Sequence, residues 1–383
     1  MSAGASVELA EVMATRLGSV DPSKHQDEVF DLYSIPAFDR GQPDIVAGRD
    51  VGSTKQVVQP GDVLISRIVP HIRRSWVVGP NRGRPIIASG EWIVFRSPRL
   101  HPAYLQHVLI GDPFHQQFMS TVAGVGGSLM RARPAQVAKI HVPLPPLPEQ
   151  RRIAEMLDRA EALRAQRRAA IAQLDTLTQS IFLDMFGDPA TNPKGWHSSA
   201  LGNVAATTSG GTPDRMVLEY FGGGIPWVKS GELHQRIVSA TEETLTQRGL
   251  KESSAKLMPP GTVLVAMYGA TVGASAILGV EAATNQAICS ILPTQELLAD
   301  YLVHLLQRFA PTLLAKRVGG AQPNLSQELI RQLVIPLPPY ELQQGFVSRV
   351  REVDRVRASH SLSLASFDAL FSSIQALAFS GEL

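Results

Sequence analysis

One unusual segment occurs twice in this chain, and its repetition constrains the fold more than any other feature of the sequence. Pro-Leu-Pro-Pro begins at Pro143 and again at Pro336, a spacing of 193 residues. The same spacing relates Gln150 to Gln343 without a gap. A period of this size is far longer than that of any solenoid repeat. The sequence therefore predicts a duplicated unit, consisting of a globular domain followed by a proline-rich hinge and a helix.

Each hinge is followed by a long stretch free of glycine and proline, at residues 149–186 and 346–379. Apolar residues recur there at heptad spacing, which predicts two long helices packed along one seam. Because the first helix must lead directly into the second globular domain, we expect the helices to be antiparallel. The predicted seam residues are Ile153, Leu157, Ile171, Leu174, Ile181, Phe346, Val350, Leu364, Phe367 and Ile374.

Both predicted seams are interrupted at the same place. Arg164 and Arg167 interrupt the first, and Arg357 and His360 interrupt the second. Four potential cations cannot be buried together without anions or water, because an unpaired buried charge is costly. We therefore expect this region to be hydrated or to face acidic groups, including those of a partner protein.

Composition narrows the class of protein. The 383 residues leave room for two or three domains, and an apolar content of 44% suits packed cores. The single cysteine, Cys289, excludes an internal disulfide and favours a cytoplasmic location. Glu8 and Glu11 lie where a signal peptide would be apolar. Residues 257–280 are uncharged, but their prolines and glycines predict short buried strands instead of a membrane span.

Positive charge is concentrated in one region, although the net charge is only +2. Residues 63–101 contain seven arginines and a single acidic residue, Glu91. Such a local excess is typical of nucleic-acid surfaces, and a solvated arginine face is the alternative.

These motifs together resemble the specificity subunits of type I DNA restriction–modification systems. The first hinge, PLPPLPEQRRIAEML, matches the family's hinge fully, whereas PLPPYELQQGFVSRV has Leu342 in place of the usual glutamate. In the second half, SGGTPDRMVLEYFGGGIPWVKSGEL from Ser209, ATNQAICSILP from Ala283 and GGAQPNLSQELIRQLVIPLPP from Gly319 resemble the family. The first half is more divergent but keeps VQPGDVLISR and GVGGSLMRARPAQVAKIHVPLPP.

The resemblance implies an α+β fold with a pseudo-twofold internal repeat. Two globular α/β target recognition domains would be joined by two long antiparallel coiled-coil helices. The implied segments are residues 1–141 (first domain), 142–188 (first hinge and helix), 189–334 (second domain) and 335–383 (second hinge and helix).

The same resemblance implies a DNA reader that is not an enzyme. Its expected partners are double-stranded DNA, two adenine-N6 methyltransferase subunits and motor–nuclease restriction subunits. S-adenosylmethionine, ATP and magnesium would be bound by those partners, and no cofactor by this chain. The sequence agrees, because Leu337 cannot hold a flipped adenine in the manner of a methyltransferase Asn/Asp-Pro-Pro-aromatic loop. The histidines and the lone cysteine show no zinc-ligand spacing.

Candidate DNA contacts are donor side chains near the arginine-rich region and in the matching part of the second domain. In the first domain they surround an expected Ser-Trp turn at Trp76. The candidates are Arg67, His71, Arg73, Arg74, Arg82, Arg84, Lys229, Tyr268, Lys316, Arg317, Gln322 and Asn324.

Two other functions were weighed against DNA recognition. A fused methyltransferase or nuclease is disfavoured, because no catalytic domain's length of chain is left over. A coiled-coil adaptor with protein-binding ends stays as the alternative, and salt-sensitive binding to duplex DNA separates the two.

Overall fold

The computed structural model describes residues 6–123, 130–269, 271–315 and 324–380. The chain divides into two compact units, Met1–Arg168 with Leu362–Leu383 (unit 1) and Ala169–Ser361 (unit 2). Each unit contains one globular part and one portion of each long helix. The division runs through both long helices, and the domain boundaries expected from the sequence stay predictions.

Unit 1 is built from short strands around a few helices. Its strands are β1 (Ser6–Glu8), β2 (Ser19–Val20), β3 (Val29–Tyr33), β4 (Asp44–Ala47), β5 (Lys55–Val57), β6 (Val63–Ser66), β7 (Ser75–Val77), β8 (Ile86–Ala88), β9 (Trp92–Phe95), β10 (Val122–Ala123), β11 (Arg131–Ala132) and β12 (His141–Pro143). Its helices are α1 (Ile35–Asp39), α2 (Pro102–Ile110), α3 (Asp112–Ser120), α4 (Pro134–Val137) and the first part of α5 (Leu147–Phe186). The main sheets have the strand orders β2-β5-β8-β3-β4 and β7-β6-β9.

Unit 2 has a closely similar inventory. Its strands are β13 (Ser198–Ala200), β14 (Thr207–Ser209), β15 (Phe221–Val228), β16 (Ile237–Val238), β17 (Glu243–Leu245), β18 (Leu257–Met258), β19 (Val263–Ala266), β20 (Ser275–Leu278), β21 (Ala282–Thr284), β22 (Ile288–Ile291) and β23 (Val334–Pro336). Its helices are α6 (Leu201–Val204), α7 (Gln247–Lys251), α8 (Ala299–Ala315), α9 (Gln327–Arg331) and the first part of α10 (Tyr340–Ser380). The main sheets have the orders β17-β15-β21-β18 and β14-β22-β19-β20-β16.

The internal repeat predicted from the hinges extends to the strand pairing. In unit 1 the antiparallel hairpin β6–β7 has β9 on its other side, and in unit 2 β19–β20 has β22 in that place. A parallel pair occurs at matching positions in each unit, β3 with β8 and β15 with β21, and unit 2 has a second parallel pair, β16 with β20. The hinge strands β12 and β23 pair with β1 and β13. The predicted α+β fold with a repeated domain-plus-helix unit is confirmed.

The two long helices are present, and the second begins earlier than the sequence predicted. The expected start was residue 346, chosen to avoid Gly345, but α10 begins at Tyr340 and includes that glycine. Packing decides this start, since Phe346 and Val350 are fully buried and fix the following turns. The helical cost of one glycine, about 1 kcal/mol, is small beside that burial.

Within each unit the two helices run antiparallel, as predicted. In unit 1, Ile153 and Leu157 of α5 belong to the same apolar core as Ala378 near the end of α10. In unit 2, Phe182 and Phe186 near the end of α5 surround Phe346 near the start of α10, with ring centroids 5.5 and 5.4 Å away.

Burial along the predicted seam is uneven. Ile153, Leu157, Phe346 and Val350 are fully buried. The other predicted seam residues are half-buried, namely Ile171, Leu174, Ile181, Leu364, Phe367 and Ile374. A pair of helices covers only one side of each seam residue, whereas the globular parts cover the residues near the hinges from further sides.

The cationic interruptions face acidic groups, as predicted, and the acids come from this chain. In unit 1, Arg164 Nε lies 2.5 Å from Asp368 Oδ1, and Arg164 also pairs with Glu161. In unit 2, Arg357 lies 2.8 Å from Asp175 Oδ1. These two interhelical pairs are the same pair repeated, because 193 residues separate both the arginines and the aspartates.

Two segments bear on a membrane reading. Residues 257–280 contain β18, β19 and β20, which confirms the prediction of short buried strands. Residues Tyr340–Phe379 of α10 satisfy the length and composition of a membrane-crossing helix. Helices of soluble proteins also meet that test, and this one contains Asp368, which is paired with Arg164.

Candidate nucleic-acid interface

Two equivalent hairpins provide the framework of the candidate site. The loop between β6 and β7 spans residues 67–74, and the loop between β19 and β20 spans residues 267–274. Each hairpin is preceded by a left-handed glycine with φ of 85°, Gly61 in unit 1 and Gly261 in unit 2. Their amides donate to Val78 and Leu278 at 2.9 and 2.8 Å. The apolar strands that follow are buried on both faces, so the loops start from rigid supports.

Both loops are fastened in the same way to the segment that precedes the hinge. The amide of Ala132 donates to the carbonyl of Arg67 at 2.8 Å, and the amide of Leu325 donates to that of Met267 at 2.8 Å. The candidates Arg67, His71, Arg73 and Arg74 therefore lie on or beside a loop equivalent to the one that contains Tyr268.

The third residue of each loop has a left-handed backbone. Gly269 has φ of 80° and Val69 has φ of 46°. A β-branched residue in this region is a genuine outlier, with a cost of about 1–2 kcal/mol. The amides of Ile72 and Val272 donate back to these residues at 3.0 and 3.3 Å. The hairpin thus imposes the same turn on both sequences, and unit 1 forms it without glycine.

The arginine-rich region is largely neutralised by the fold. Six of its seven arginines pair with carboxylates within 4 Å, namely Arg67 with Glu91, Arg73 with Asp112, Arg74 with Asp39, Arg84 with Asp31, Arg96 with Asp62 and Arg99 with Glu11. Five of these six carboxylates lie outside residues 63–101 in the sequence, and Glu91 is the one that lies within. The sequence therefore overstated the local positive charge, because the partner acids arrive from other strands and helices.

The strongest of these pairs are partly or fully buried. Arg96 donates twice to the buried Asp62 at 2.6 Å, and these hydrogen bonds raise the pKa of Arg96. Arg74 donates to both carboxylate oxygens of Asp39 at 2.8 and 3.0 Å, which lowers the pKa of Asp39. Such bidentate pairs fix the side chains, and they leave less of each guanidinium for an external phosphate.

His71 and Arg82 differ from the other candidates of unit 1. Both are exposed, and neither has an ion pair within the part of the chain that the structure describes. The contact of all these candidates with DNA stays a prediction. The structure does rank them, since the exposed guanidinium of Arg82, with no carboxylate beside it among the described residues, has its full charge available for a phosphate.

The expected Ser-Trp turn is not a turn. Ser75 and Trp76 lie in strand β7, and the Trp76 ring packs on Tyr33 with a centroid distance of 4.4 Å. Phe38 and Trp92 complete this aromatic group at 5.6 and 6.4 Å. Trp76 therefore supports the hairpin, and the turn lies before it, at residues 67–74.

In unit 2 the candidates are scattered. Lys229 Nζ donates to Glu242 at 2.8 Å and to Glu243 at 3.0 Å, and these bonds raise its pKa. Tyr268 is exposed on the hairpin loop, and Asn324 is exposed next to the anchored Leu325. Lys316, Arg317 and Gln322 lie outside the described residues.

Two buried clamps, which sequence analysis did not identify as functional, hold the hinges. Gln150 Nε2 donates to Arg99 O at 2.9 Å and to Pro145 O at 2.8 Å, while its Oε1 accepts from the amide of His101 at 2.7 Å. Gln343 makes the same three bonds, to Glu296 O and Pro338 O at 2.9 and 3.0 Å, and from Leu298 N at 2.9 Å. The equivalence of the two glutamines in the 193-residue repeat was the available signal.

A tyrosine completes each clamp. The hydroxyls of Tyr104 and Tyr301 donate to the hinge carbonyls of Pro143 and Pro336, both at 3.0 Å. Burial raises the pKa of both phenols, so they stay protonated as donors. Each hinge is therefore fixed to the globular part of its own unit, and the helix that follows it starts in a defined direction.

Comparison with known proteins agrees with this framework. Residues 193–361 match the family model of the type I restriction modification DNA specificity domain. The second half of this chain is therefore similar to a type I DNA specificity domain. The matched residues lie within unit 2 and include its hairpin, its hinge and the first part of α10.

Curated relatives of the specificity domain come from bacteria and archaea. The chain is 25% identical over 232 residues to the EcoR124I/EcoR124II specificity subunit of Escherichia coli, covering 58% of this chain and 57% of that protein. It is 30% identical over 157 residues to the MjaIX specificity subunit of Methanocaldococcus jannaschii, covering 40% of this chain and 36% of that one. The matches thus span less than two thirds of either relative. The predicted resemblance to type I specificity subunits is confirmed.

Solved structures extend the likeness in fold to both units. A chain solved in work on complex assembly and conformational transition of the type I R-M system covers 100% of this chain, with a TM-score of 0.65 and 23% identity. The S subunit of a type I system from M. genitalium covers 98% of it, with a TM-score of 0.60 and 10% identity. At this identity the likeness concerns the fold alone.

Proposed function

We propose that this chain recognises a two-part DNA target as the non-catalytic specificity subunit of a type I restriction–modification complex. The observation on which this rests is that unit 1 repeats the hairpin, hinge clamp and helix pairing of unit 2, which contains the residues that match the specificity-domain family model. Two copies of one DNA-binding framework imply two half-sites, as in other DNA-binding proteins with twofold symmetry.

The chemistry of the reaction is assigned to partner subunits. The proposed partners are two adenine-N6 methyltransferase subunits and motor–nuclease subunits, which would bind S-adenosylmethionine, ATP and magnesium. Among the described residues, no group of three or more His, Cys, Asp and Glu side chains is placed to hold a metal ion. Burial raises the pKa of the Cys289 thiol to about 12, which suppresses its reactivity. A cytoplasmic location is part of the proposal, since the DNA target lies there.

Exposed apolar residues on the long helices support the docking of two identical partners. Leu163 and Leu370 are 40% and 48% exposed in unit 1, and Leu177 and Val356 are both 46% exposed in unit 2. The 193-residue spacing relates Leu163 to Val356 and Leu177 to Leu370. Each unit thus presents the same pair of positions, one on each helix, so one partner surface fits both. The proposed occupant of this surface is one methyltransferase subunit on each unit.

Partner docking is tested by the stoichiometry of the assembled methyltransferase. We expect Leu163→Glu/Leu370→Glu to remove one of two methyltransferase subunits in native mass spectrometry, because charges on the docking surface of unit 1 must be desolvated. Ala165→Glu adds a charge at an exposed position on the other side of α5 in unit 1 and should retain both subunits. Retention of two subunits by the double variant would rule out docking at these positions.

DNA recognition is tested by the methylome of a host that expresses this chain with its methyltransferase. We expect a single two-part motif with adenine-N6 methylation in each half. Exchange of residues 1–141 for those of a relative should change one half of the motif and leave the other half unchanged. A contiguous motif, or a change in both halves, contradicts the proposal.

A further inference from the structure

A polar cleft of about 350 Å³ lies in unit 1, outside the candidate residues chosen from the sequence. It is formed by the end of α3, the strand β10 and the segment from α4 to the start of β12. The side chains that give it its chemistry are Gln117, Ser120, Thr121, Arg133, Gln136 and Lys139.

The cleft combines two cations with neutral hydrogen-bonding groups. Arg133 and Lys139 are both exposed, and within the described residues neither forms an ion pair or a side-chain hydrogen bond. The described residues that line the cleft include no carboxylate. This differs from the arginine-rich region, where six of seven guanidiniums are already paired. An oxyanion is the ligand that satisfies both charges.

The cleft is fixed to the hairpin loop of unit 1. Arg133 N donates to Thr121 O at 3.2 Å, which joins the two walls of the cleft. The preceding residue, Ala132, donates to Arg67 O at 2.8 Å, and Arg131 pairs as an isolated bridge with Ile68. The two cations are therefore held at a set distance from the loop at residues 67–74.

We propose that this cleft binds a backbone phosphate of the DNA duplex and so anchors unit 1 on its half-site. The proposal rests on the function proposed above and names a contact for it. Arg133 supplies a planar fork that suits phosphate oxygens, Lys139 supplies a point charge, and the amide groups of Gln117 and Gln136 supply neutral donors.

The anchor is specific to unit 1. The 193-residue repeat places Ser326 and Gln332 at the positions of Arg133 and Lys139. Ser326 caps helix α9 by accepting from Leu329 N at 3.1 Å, so its side chain already has a structural role. Neither residue of unit 2 is a cation, and the two half-sites are therefore held by different electrostatic contacts.

The test is fluorescence anisotropy of the assembled methyltransferase on cognate and scrambled duplexes, over a series of salt concentrations. Because one phosphate is contacted, the double variant Arg133→Gln/Lys139→Gln should reduce the log–log salt slope by about 0.9, and each single variant should reduce it by part of that amount. Affinity should fall by the same factor on both duplexes, because a phosphate contact carries no sequence information.

Matched controls remove equal charge elsewhere in unit 1. Arg99→Gln removes an exposed arginine that is paired with Glu11 at 3.1 Å, and Lys24→Gln removes an exposed lysine 3.9 Å from Asp21. Both should leave the slope within about 0.2 of the parent value, since their charges are already compensated. A drop equal to that of the cleft variants would mean that only net charge matters, which overturns the proposal.

Inorganic phosphate separates a free-phosphate site from a DNA contact. If calorimetry detects phosphate binding that the double variant loses, while the DNA salt slope is unchanged, the cleft is not a DNA contact and the proposal is wrong. An unchanged slope with preserved preference for cognate DNA rejects the cleft and leaves the proposed function intact. Absence of any cognate preference in the parent complex rejects the proposed function itself.

Discussion

The hairpin loops of the two units occupy the same place in the repeat and differ in charge. The unit 1 loop contains Arg67, His71, Arg73 and Arg74, whereas residues 267–274 of unit 2 contain no charged side chain. The supports beneath the loops are nevertheless alike, with matching turn glycines, anchoring hydrogen bonds and hinge clamps. The comparison teaches that the framework tolerates large changes in the loops, because their conformation is set by backbone contacts.

The largest effects should come from substitutions in the glutamine clamps, which both units share. Gln343→Ala leaves three backbone groups, mostly partly buried, without their partner, and Gln150→Ala does the same in unit 1. We expect each to cost about 3 kcal/mol of local stability, since a buried unsatisfied group costs about 1–3 kcal/mol and water reaches the partly buried groups. Hydrogen exchange of α8 and of α2 measures the two effects separately. If only one of the two substitutions increased hydrogen exchange, the two glutamine clamps would not be equivalent.

Low pH should destabilise unit 2 more than unit 1, through His304 in α8. Burial, and then the charge of Arg236, lowers its pKa from 6.5 to about 4; Asp300 has a smaller opposing effect, and Arg357 lowers the pKa slightly further. The folded form thus binds the proton less readily than the unfolded form, so stability is complete above pH 6.5 and falls as the pH approaches 4. The loss should be at most about 3 kcal/mol at the acid end of that window.

The measurement for His304 is hydrogen exchange of α8 at several pH values between 7 and 4.5. His304→Gln should flatten the response of α8. In unit 1, His107 contacts Asp158 at 2.8 Å, and His107→Gln should leave the α8 response unchanged. Persistence of the acid response in His304→Gln would assign it to another group.

Substitutions at the left-handed position of each loop should have a smaller effect on the free energy of unfolding. A Cβ on Gly269 meets no atom within 4 Å, so Gly269→Ala changes backbone strain alone. We expect a loss of about 1 kcal/mol by chemical denaturation. Val69→Gly should change stability by less than about 0.5 kcal/mol, because relief of strain is offset by greater freedom of the unfolded chain. A large gain from Val69→Gly would show that the strain at this position is greater than inferred.

A smaller effect than that of Gly269→Ala is expected inside α10. A Cβ on Gly345 would lie 3.8 Å from Met185 Cε, an ordinary contact, and φ there is helical. Gly345→Ala should therefore stabilise unit 2 by about 0.7 kcal/mol, through the higher helix propensity of alanine. Thermal unfolding of the chain measures this gain, and a loss would mean that the helices approach more closely here than this spacing allows.

The sequence predicted the long helices and their pairing well because that information is local and periodic. Heptad spacing located the seam, and the repeat predicted that Arg164 and Arg357 would occupy equivalent positions. Gly345 was the exception, since the avoidance of glycine placed the start of α10 six residues too late. Burial of Phe346 and Val350 outweighed the propensity of one residue.

The candidate site was harder to predict, since it depends on contacts between distant residues. Arg99 pairs with Glu11 across 88 residues of sequence, and Arg84 pairs with Asp31 across 53. A short segment of sequence does not contain these carboxylates. It therefore predicts a basic cluster where the folded protein has ion pairs. The same limitation hid Arg133 and Lys139, whose importance lies in having no carboxylate beside them among the described residues.

By itself, the sequence determined the duplication, the helices, the positions of the hinges and the resemblance to specificity subunits. These follow from periodicity and from residues that are close neighbours along the chain. Only the tertiary structure decided which cations are neutralised, how Gln150 and Gln343 hold the hinges, and that Val69 adopts the turn of Gly269. Charge compensation and backbone strain are set by segments brought together in folding, and no local pattern specifies them.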